Sequence, residues 1–235
     1  MTSQTRRAVL FDVDGTLVDS TYFHVVAFWR AFHDVGIEVP MRDIHRRIGM
    51  GADRLVRETL GREDERVVDG HTEHFAPFLD LVTALPGAVD LLTHCTSRGL
   101  TVVLATSASA TEVEAQKRAL AGSEEAVEAI TSSEDAEESK PDPDILQAAL
   151  AKAGLDAADC VFVGDAEWDV RAARELGIPC VALLTGGMGP TELLNAGAID
   201  VYDGPAALLE AFDVSPLGRL AAGEAPPAPG EPVAA

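Results

Sequence analysis

The stretch VLFDVDGT, at residues 9–16, places two aspartates directly after a run of apolar residues. The apolar, β-favouring residues predict a short buried strand, and Gly15 and Thr16 end that strand. The carboxylates of Asp12 and Asp14 therefore lie at the carboxyl end of the strand, where ligands bind in open α/β sheets. Two acids held this close repel each other and need a cation, a shared proton or separate roles. The stretch predicts a metal site or a proton-transfer site.

The rest of the chain predicts an α/β fold around this strand. Strand-like runs at residues 100–105, 160–164, 181–184 and 199–202 alternate with helical patterns at residues 87–98, 111–121, 143–153 and 167–176. Strands that alternate with helices form parallel sheets with right-handed crossovers. We therefore expect a parallel sheet with helices on both faces.

The alternation stops between residues 20 and 85, where segments 22–35, 41–60 and 63–81 all show helical patterns. We interpret residues 20–85 as an all-helical insertion, so that residues 1–19 and 86–213 form the sheet domain. Residues 214–235 are rich in alanine, proline and glycine, which predicts a disordered tail.

Composition restricts the partners and the compartment that we expect. The formal net charge of −21 argues against nucleic acid and disfavours anionic membrane surfaces, because no basic patch offsets it. A small anionic substrate is compatible with this charge if a metal ion and a few cations reverse the local field. Cys95, Cys160 and Cys180 share no metal-ligand spacing, which predicts buried thiols in a reducing compartment. With no signal-peptide core in residues 1–7 and no membrane-spanning run, we expect a cytoplasmic protein.

Two turns have the composition of phosphate-binding loops. Thr106 and Ser107 follow the second strand, so a hydroxyl and free backbone N–H groups at a helix start would form a phosphate cradle, or a plain helix cap. The turn at residues 186–191 would add N–H groups at a pocket rim, or serve only as a strand-to-helix connection.

Lys140 lies in the sequence Ser139-Lys140-Pro141-Asp142-Pro143, just before a predicted helix. The prolines stiffen the chain and would hold the lysine in a fixed position. The alternative is a solvated surface lysine.

Asp165 ends the predicted strand 160–164, and Asp169 follows on the same helix face. Acids at a helix N-terminus favour the helix dipole, which is one explanation for them. Together with Asp12 they also form a candidate site of oxygen ligands, which suits Mg²⁺.

The order of these motifs resembles the haloacid dehalogenase superfamily. Asp-x-Asp-Gly-Thr, strand-Thr, Lys-Pro and Gly-Asp-x-x-x-Asp match its four motifs, and the resemblance covers residues 8–211. The inserted helices resemble the cap of the phosphoglycolate phosphatase and β-phosphoglucomutase branch. The resemblance implies a Rossmann-like sheet domain with an inserted helical cap.

The resemblance also implies a role for each matching residue. Asp12 would be the nucleophile, Asp14 the general acid and base, and Lys140 the cation that steadies the nucleophile and the phosphate. The implied phosphate- and substrate-binding residues are Thr106, Ser107, Gly15 and His24, and the implied Mg²⁺ ligands are Asp12, Asp14 through its main-chain carbonyl, Asp165 and Asp169, the last either as a ligand or as the partner of one.

These roles describe a Mg²⁺-dependent phosphatase that hydrolyses a small phosphoglycolate-like or sugar-phosphate-like monoester through an aspartyl-phosphate. The dehalogenases of the superfamily need neither a second aspartate nor a metal, so Asp14 and Asp165 favour phosphoryl transfer. For Asp14 to protonate the leaving group, its surroundings must raise its pKa. The sequence does not predict the substrate or the oligomeric state.

Two alternatives stay open at this point. A sugar-phosphate mutase is one, because His24 lies where the β-phosphoglucomutases carry a histidine at the cap hinge. The cap arginine that these mutases use for the distal phosphate falls at Ala52, although Arg54 or Arg47 could substitute. The other alternative is a catalytically idle binding module on the same fold.

Overall fold

A computed structural model describes residues 6–136, 140 and 142–230. Within them, six parallel strands form one sheet in the order β3-β2-β1-β4-β5-β6. The strands are β1 (Ala8–Phe11), β2 (Thr101–Leu104), β3 (Val127–Ile130), β4 (Cys160–Gly164), β5 (Cys180–Leu183) and β6 (Asp200–Tyr202). The strand order reverses direction at β1 and β4, and a crevice for ligands opens at such a point in α/β sheets.

Helices cover both faces of the sheet, which confirms the predicted fold class. The helices are α1 (Thr21–Asp34), α2 (Met41–His45), α3 (Ala52–Leu60), α4 (Glu65–Phe75), α5 (Ala88–Ser97), α6 (Ala110–Ala119), α7 (Asp144–Ala153), α8 (Glu167–Glu175), α9 (Pro190–Ala196), α10 (Pro205–Glu210) and α11 (Pro216–Ala221). None of them, among the residues described, is long and apolar enough to cross a membrane.

The side chains of β1 alternate between the two faces of the sheet, and each face packs against its own layer of helices. Val9 and Phe11 belong to a core with residues of α5, α10 and α11, whereas Ala8 and Leu10 belong to a core with residues of α7 and α8. All four side chains are fully buried. Burial of each larger apolar side chain contributes about 1.5–3 kcal/mol, so β1 anchors the residues that follow it.

Helices α1 to α4 lie between β1 and α5 in the chain and have a core of their own, which includes Phe28, Phe32 and Leu55. The two connections to the sheet run side by side, because Asp19 N–H donates to Thr83 O and Leu85 N–H to Leu17 O. The division of the chain into a cap at 20–85 and a core at 1–19 and 86–213 stays a prediction.

Two contacts hold these helices over the carboxyl edge of the sheet. His45 Nε2 donates to the carbonyl of Gly186 at 2.7 Å, and Arg54 forms an ion pair with Asp142 at 2.6 Å. The helices therefore cover the ends of β1 and β4.

The structure differs from the predicted disordered tail at residues 216–221, which form α11. Ser215 caps this helix by accepting a hydrogen bond from Gly218 N–H. Leu217 and Leu220 are buried in the same core as Val9 and Phe11 of β1. These two leucines explain why the segment folds despite its composition. The last part of that prediction, residues 231–235, lies outside the described residues.

Candidate active site

Two strand ends bring three carboxylates together. Asp12 follows β1 and its N–H donates to Val163 O of β4, so that Asp12 and Asp165 leave neighbouring strands side by side. Asp169 lies in the first turn of α8. Oxygen atoms of Asp12, Asp165 and Asp169 lie within 4.8 Å of one another, and all three residues are buried.

Lys140 is inside this cluster and is not a surface lysine. Its side chain is 2% exposed and forms ion pairs with Asp12 and, at 2.8 Å, with Asp169 Oδ1. Burial alone would lower the pKa of Lys140, but the negative charges of Asp12 and Asp169 outweigh it and raise this pKa, so the ammonium is charged. Of the two prolines expected to stiffen this segment, Pro141 lies outside the described residues, and Pro143 immediately precedes α7.

Asp169 connects the turn after β4 to Lys140. Its Oδ2 accepts hydrogen bonds from the N–H groups of Asp165 (3.1 Å) and Ala166 (3.0 Å), and its Oδ1 faces Lys140. Both carboxylate oxygens therefore have protein partners. Asp169 fixes the turn between β4 and α8 and orients the lysine.

The cluster has three carboxyl groups and one ammonium, a composition that fits a bound cation. Burial, followed by the nearby Asp169 and Asp12, raises the pKa of Asp165 well above its usual value. Burial raises the pKa of Asp12 to about 7, although Lys140 opposes this shift. Three buried carboxylates beside one ammonium offer oxygen ligands of the kind that Mg²⁺ binds.

Two glycines leave room for the Asp165 carboxylate. Gly15 has a φ of +80°, and a Cβ there would overlap Asp165 and Thr21. A Cβ on Gly186 would also overlap the Asp165 carboxylate, which Thr16 Oγ1 holds from the other side at 3.0 Å. The sequence predicted only a possible rim for the turn at residues 186–191, so the contact of Gly186 with the cluster was missed.

We expect Gly186→Ala to displace Asp165 and to reduce both divalent-cation affinity and stability. Overpacking of this kind costs typically about 1–3 kcal/mol, which chemical denaturation would measure. Gly189→Ala is the matched control, because a Cβ there meets only the flexible carboxylate of Glu192, at 3.2 Å. Equal stability and cation affinity in the two variants would contradict this role for Gly186.

Asp14 is held by three side chains from two parts of the chain. Its carboxylate accepts hydrogen bonds from Ser20 Oγ and Gln116 Nε2, both at 2.6 Å, and lies 3.6 Å from His24 Nε2. Burial raises the pKa of Asp14, but the interactions with His24 and Ser20 outweigh burial and lower it. The expectation of a raised Asp14 pKa is therefore wrong for this arrangement, because His24 and Ser20 stabilise the charged form.

Thr106 and Ser107 face the cavity and are not the cap of α6. That cap is Ser109, which forms a reciprocal capping box with Glu112. Thr106 is buried, and its Oγ1 accepts a hydrogen bond from Ala108 N–H at 3.1 Å. The buried Ser107 Oγ has no hydrogen-bond partner among the described residues. This hydroxyl is therefore available to form a hydrogen bond with a ligand.

His24 lies on α1, on the side of the site away from the sheet, and forms a pair with His71. The His24 Nδ1 and His71 Nε2 atoms are 3.1 Å apart, and the rings stack on Phe75 and Phe28 respectively. Sequence reasoning missed His71, because only the packing of α4 against α1 brings it to His24.

These groups line a cavity of about 350 Å³. It is lined by Asp12, Asp14, Lys140, Thr106 and Ser107 on the sheet side, and by residues of α1, α3, α4 and the turn before α3 on the other. Ala52 lines it, whereas Arg54 pairs with Asp142 and Glu58, and Arg47 donates to Asp43 O.

Comparisons with known proteins agree with this arrangement. A family model described as haloacid dehalogenase-like hydrolase matches residues 6–177. The phosphoglycolate phosphatase of Rhodospirillum rubrum is 30% identical over 221 residues, which cover 86% of this chain and 89% of that protein. A hydrolase from Pseudomonas syringae has a similar crystal structure, with a TM-score of 0.83, 35% identity, and coverage of 89% of this chain and 98% of the other. The chloroplastic protein SUPPRESSOR OF QUENCHING 1 of Arabidopsis thaliana is 32% identical over 76% of this chain, but this match spans only 18% of that much longer protein.

Proposed function

The chain belongs to the haloacid dehalogenase-like hydrolase family, and from this premise we propose that it is a Mg²⁺-dependent phosphatase of small phosphate monoesters. One observation carries the proposal: the buried ion pair between Asp12 and Lys140 lines the same ligand-sized cavity as Ser107, whose hydroxyl has no hydrogen-bond partner among the described residues. A carboxylate nucleophile, a fixed cation and spare phosphate-binding groups are what phosphoryl transfer requires.

The carboxylates of Asp12 and Asp165 would hold Mg²⁺, with the main-chain carbonyl of Asp14, and Asp169 would keep Asp165 and Lys140 in place. When bound, the ion neutralises charge on the phosphate dianion and on the cluster. The raised pKa values of Asp12 and Asp165 support this assignment, because both carboxylates gain stability from a nearby cation.

Asp12 would attack phosphorus with a carboxylate oxygen, while the bond from phosphorus to the leaving oxygen breaks. Lys140 would balance the charge that remains on Asp12 and the phosphoryl oxygens, and Thr106 and Ser107 would hold those oxygens. Water then attacks phosphorus of the aspartyl-phosphate, which releases phosphate and restores the Asp12 carboxylate.

Asp14 would exchange the protons of both steps. Because its pKa is lowered, Asp14 is in the ionised form, which can take a proton from the attacking water in the second step. The first step requires a proton for the leaving alkoxide, and the pair formed by Asp14 and His24 would supply it, since His24 Nε2 is 3.6 Å from the Asp14 carboxylate.

A sugar-phosphate mutase is the second candidate, and the contact of His24 with Asp14 favours it. Against it, Ala52 offers no cation to a second phosphate, and Arg54 and Arg47 have protein partners outside the cavity. We therefore place hydrolysis first.

A phosphate-release screen over small phosphomonoesters, with Mg²⁺ or with a chelator, tests the proposal. We expect free phosphate only with the cation, and roughly 10²-fold or greater loss when it is removed. Movement of the phosphoryl group to a second sugar position would favour the mutase. Cation binding without turnover of any ester would contradict the proposal and favour an idle binding module.

A further inference from the structure

The cavity wall has few positively charged side chains that could bind an anion. Lys140 is the one lysine or arginine that lines the cavity, although the chain has 18 such residues and all of them lie in the part that the structure describes. Lys140 is already engaged by Asp12 and Asp169. Among the residues that the structure describes, the cavity wall therefore offers no second lysine or arginine to a ligand group other than the reacting phosphate.

The wall opposite the carboxylate cluster is mostly apolar. Phe28 of α1, Ile48 and Met50 before α3, and Val68 of α4 line this side. His71 also lines it, and burial, followed by the nearby His24, lowers the pKa of His71 well below its usual value, so this imidazole is neutral. His24 lies against Asp14, which balances any charge on it.

Two helix N-termini reach the cavity, and neither is available to a second anion. α3 carries Asp53 and α6 carries Glu112 in the first turn, so each positive dipole end already has a carboxylate beside it. A carboxylate or a second phosphate on the substrate would therefore lie near acidic groups and apolar side chains.

We propose that this cavity selects phosphate monoesters whose leaving group is uncharged and has an apolar face, and that it discriminates against esters with a second anionic group. This inference rests on the proposed phosphatase activity and narrows its substrate class. The uncharged group packs against Phe28, Ile48, Met50 and Val68, while the reacting phosphate lies at Lys140 and the carboxylate cluster. In a site of low dielectric, repulsion between like charges strongly disfavours the binding of an ester that carries a second anionic group.

The test compares 2-hydroxyethyl phosphate with 2-phosphoglycolate, which differ in a hydroxymethyl group and a carboxylate. We expect kcat/KM with Mg²⁺ to be about 100-fold higher for the uncharged ester, because one like-charge contact costs this much. Equal or faster hydrolysis of phosphoglycolate would overturn the inference while leaving the phosphatase activity in place. Hydrolysis of no phosphomonoester at all would overturn both.

Thr72→Lys provides a second readout, because Thr72 is exposed on α4 and lines the cavity. The added ammonium should raise the ratio of kcat/KM for phosphoglycolate to that for the uncharged ester at least about 10-fold. Thr72→Gln is the matched control of similar length without charge, and it should leave the ratio of the two substrates unchanged. A ratio that is the same in both variants would overturn the inference.

Discussion

Replacement of Asp12 with asparagine is expected to abolish phosphate release, by roughly 10⁴-fold or more at saturating Mg²⁺. The amide is isosteric with the carboxylate but has no charge and is not a nucleophile. Lys140 keeps its ion pair with Asp169, so the variant is expected to fold. Steady-state phosphate release and the thermal transition of the two proteins would measure these effects.

Asp19→Asn is the matched control for this variant. Asp19 is exposed, seven residues further along the same connection, and outside the cavity. The same chemical change there should leave the rate within about twofold of the unchanged protein. If Asp12→Asn retained turnover within about tenfold of the unchanged protein, Asp12 would not be the nucleophile.

Lys140→Met is expected to have the largest effect on stability and a large effect on turnover. Methionine fills a similar volume but leaves Asp12 and Asp169 without their buried cation. Removal of one partner from a buried ion pair costs about 3–5 kcal/mol of unfolding free energy. Loss of the charge beside the phosphate should also lower turnover by roughly 10²–10³-fold.

The destabilisation by Lys140→Met should increase with pH when divalent cations are chelated. Lys140 lowers the pKa of Asp12, whose folded-state value of about 7 already exceeds its ordinary value. Without Lys140 the folded protein keeps this proton to higher pH, and a folded state that binds more protons loses stability as pH rises. The difference in unfolding free energy from the unchanged protein should therefore be larger at about pH 8.5 than at about pH 5.5.

Lys152→Met is the control, because Lys152 is 46% exposed and pairs with Asp135 at the surface. Such a pair contributes about 0–1 kcal/mol, with little dependence on pH in this range. A Lys140→Met protein as stable as this control at both pH values would contradict the buried ion-pair cluster.

The sheet could be predicted from the sequence because its central strands are continuous apolar runs. β1 and β4 are buried along their whole length, and turn residues mark their ends. β3 was not predicted, because it is an edge strand that is only partly buried and includes the exposed Glu128. The helix predicted over residues 41–60 is two helices, since Gly49, with a φ of +97°, lies in the turn between them.

The candidate site was predictable only in part. Acids at strand ends can be placed by topology alone, which is why Asp12 and Asp165 were expected at one edge. Gln116 is 102 residues from Asp14, and no local pattern marks it as a partner of that carboxylate. The direction of the Asp14 pKa shift was also missed, because Ser20 and His24 are brought to the Asp14 carboxylate only in the folded protein.

The central claim is that Asp12 carries the phosphoryl group during turnover. The most direct measurement is mass spectrometry of peptides after rapid acid quench of the enzyme with Mg²⁺ and a hydrolysed ester. The account predicts the added mass of one phosphoryl group on the peptide that contains Asp12, formed and lost at rates that match turnover, and its absence in Asp12→Asn. Phosphate release at the full rate with no phosphorylated Asp12 at any quench time would contradict it.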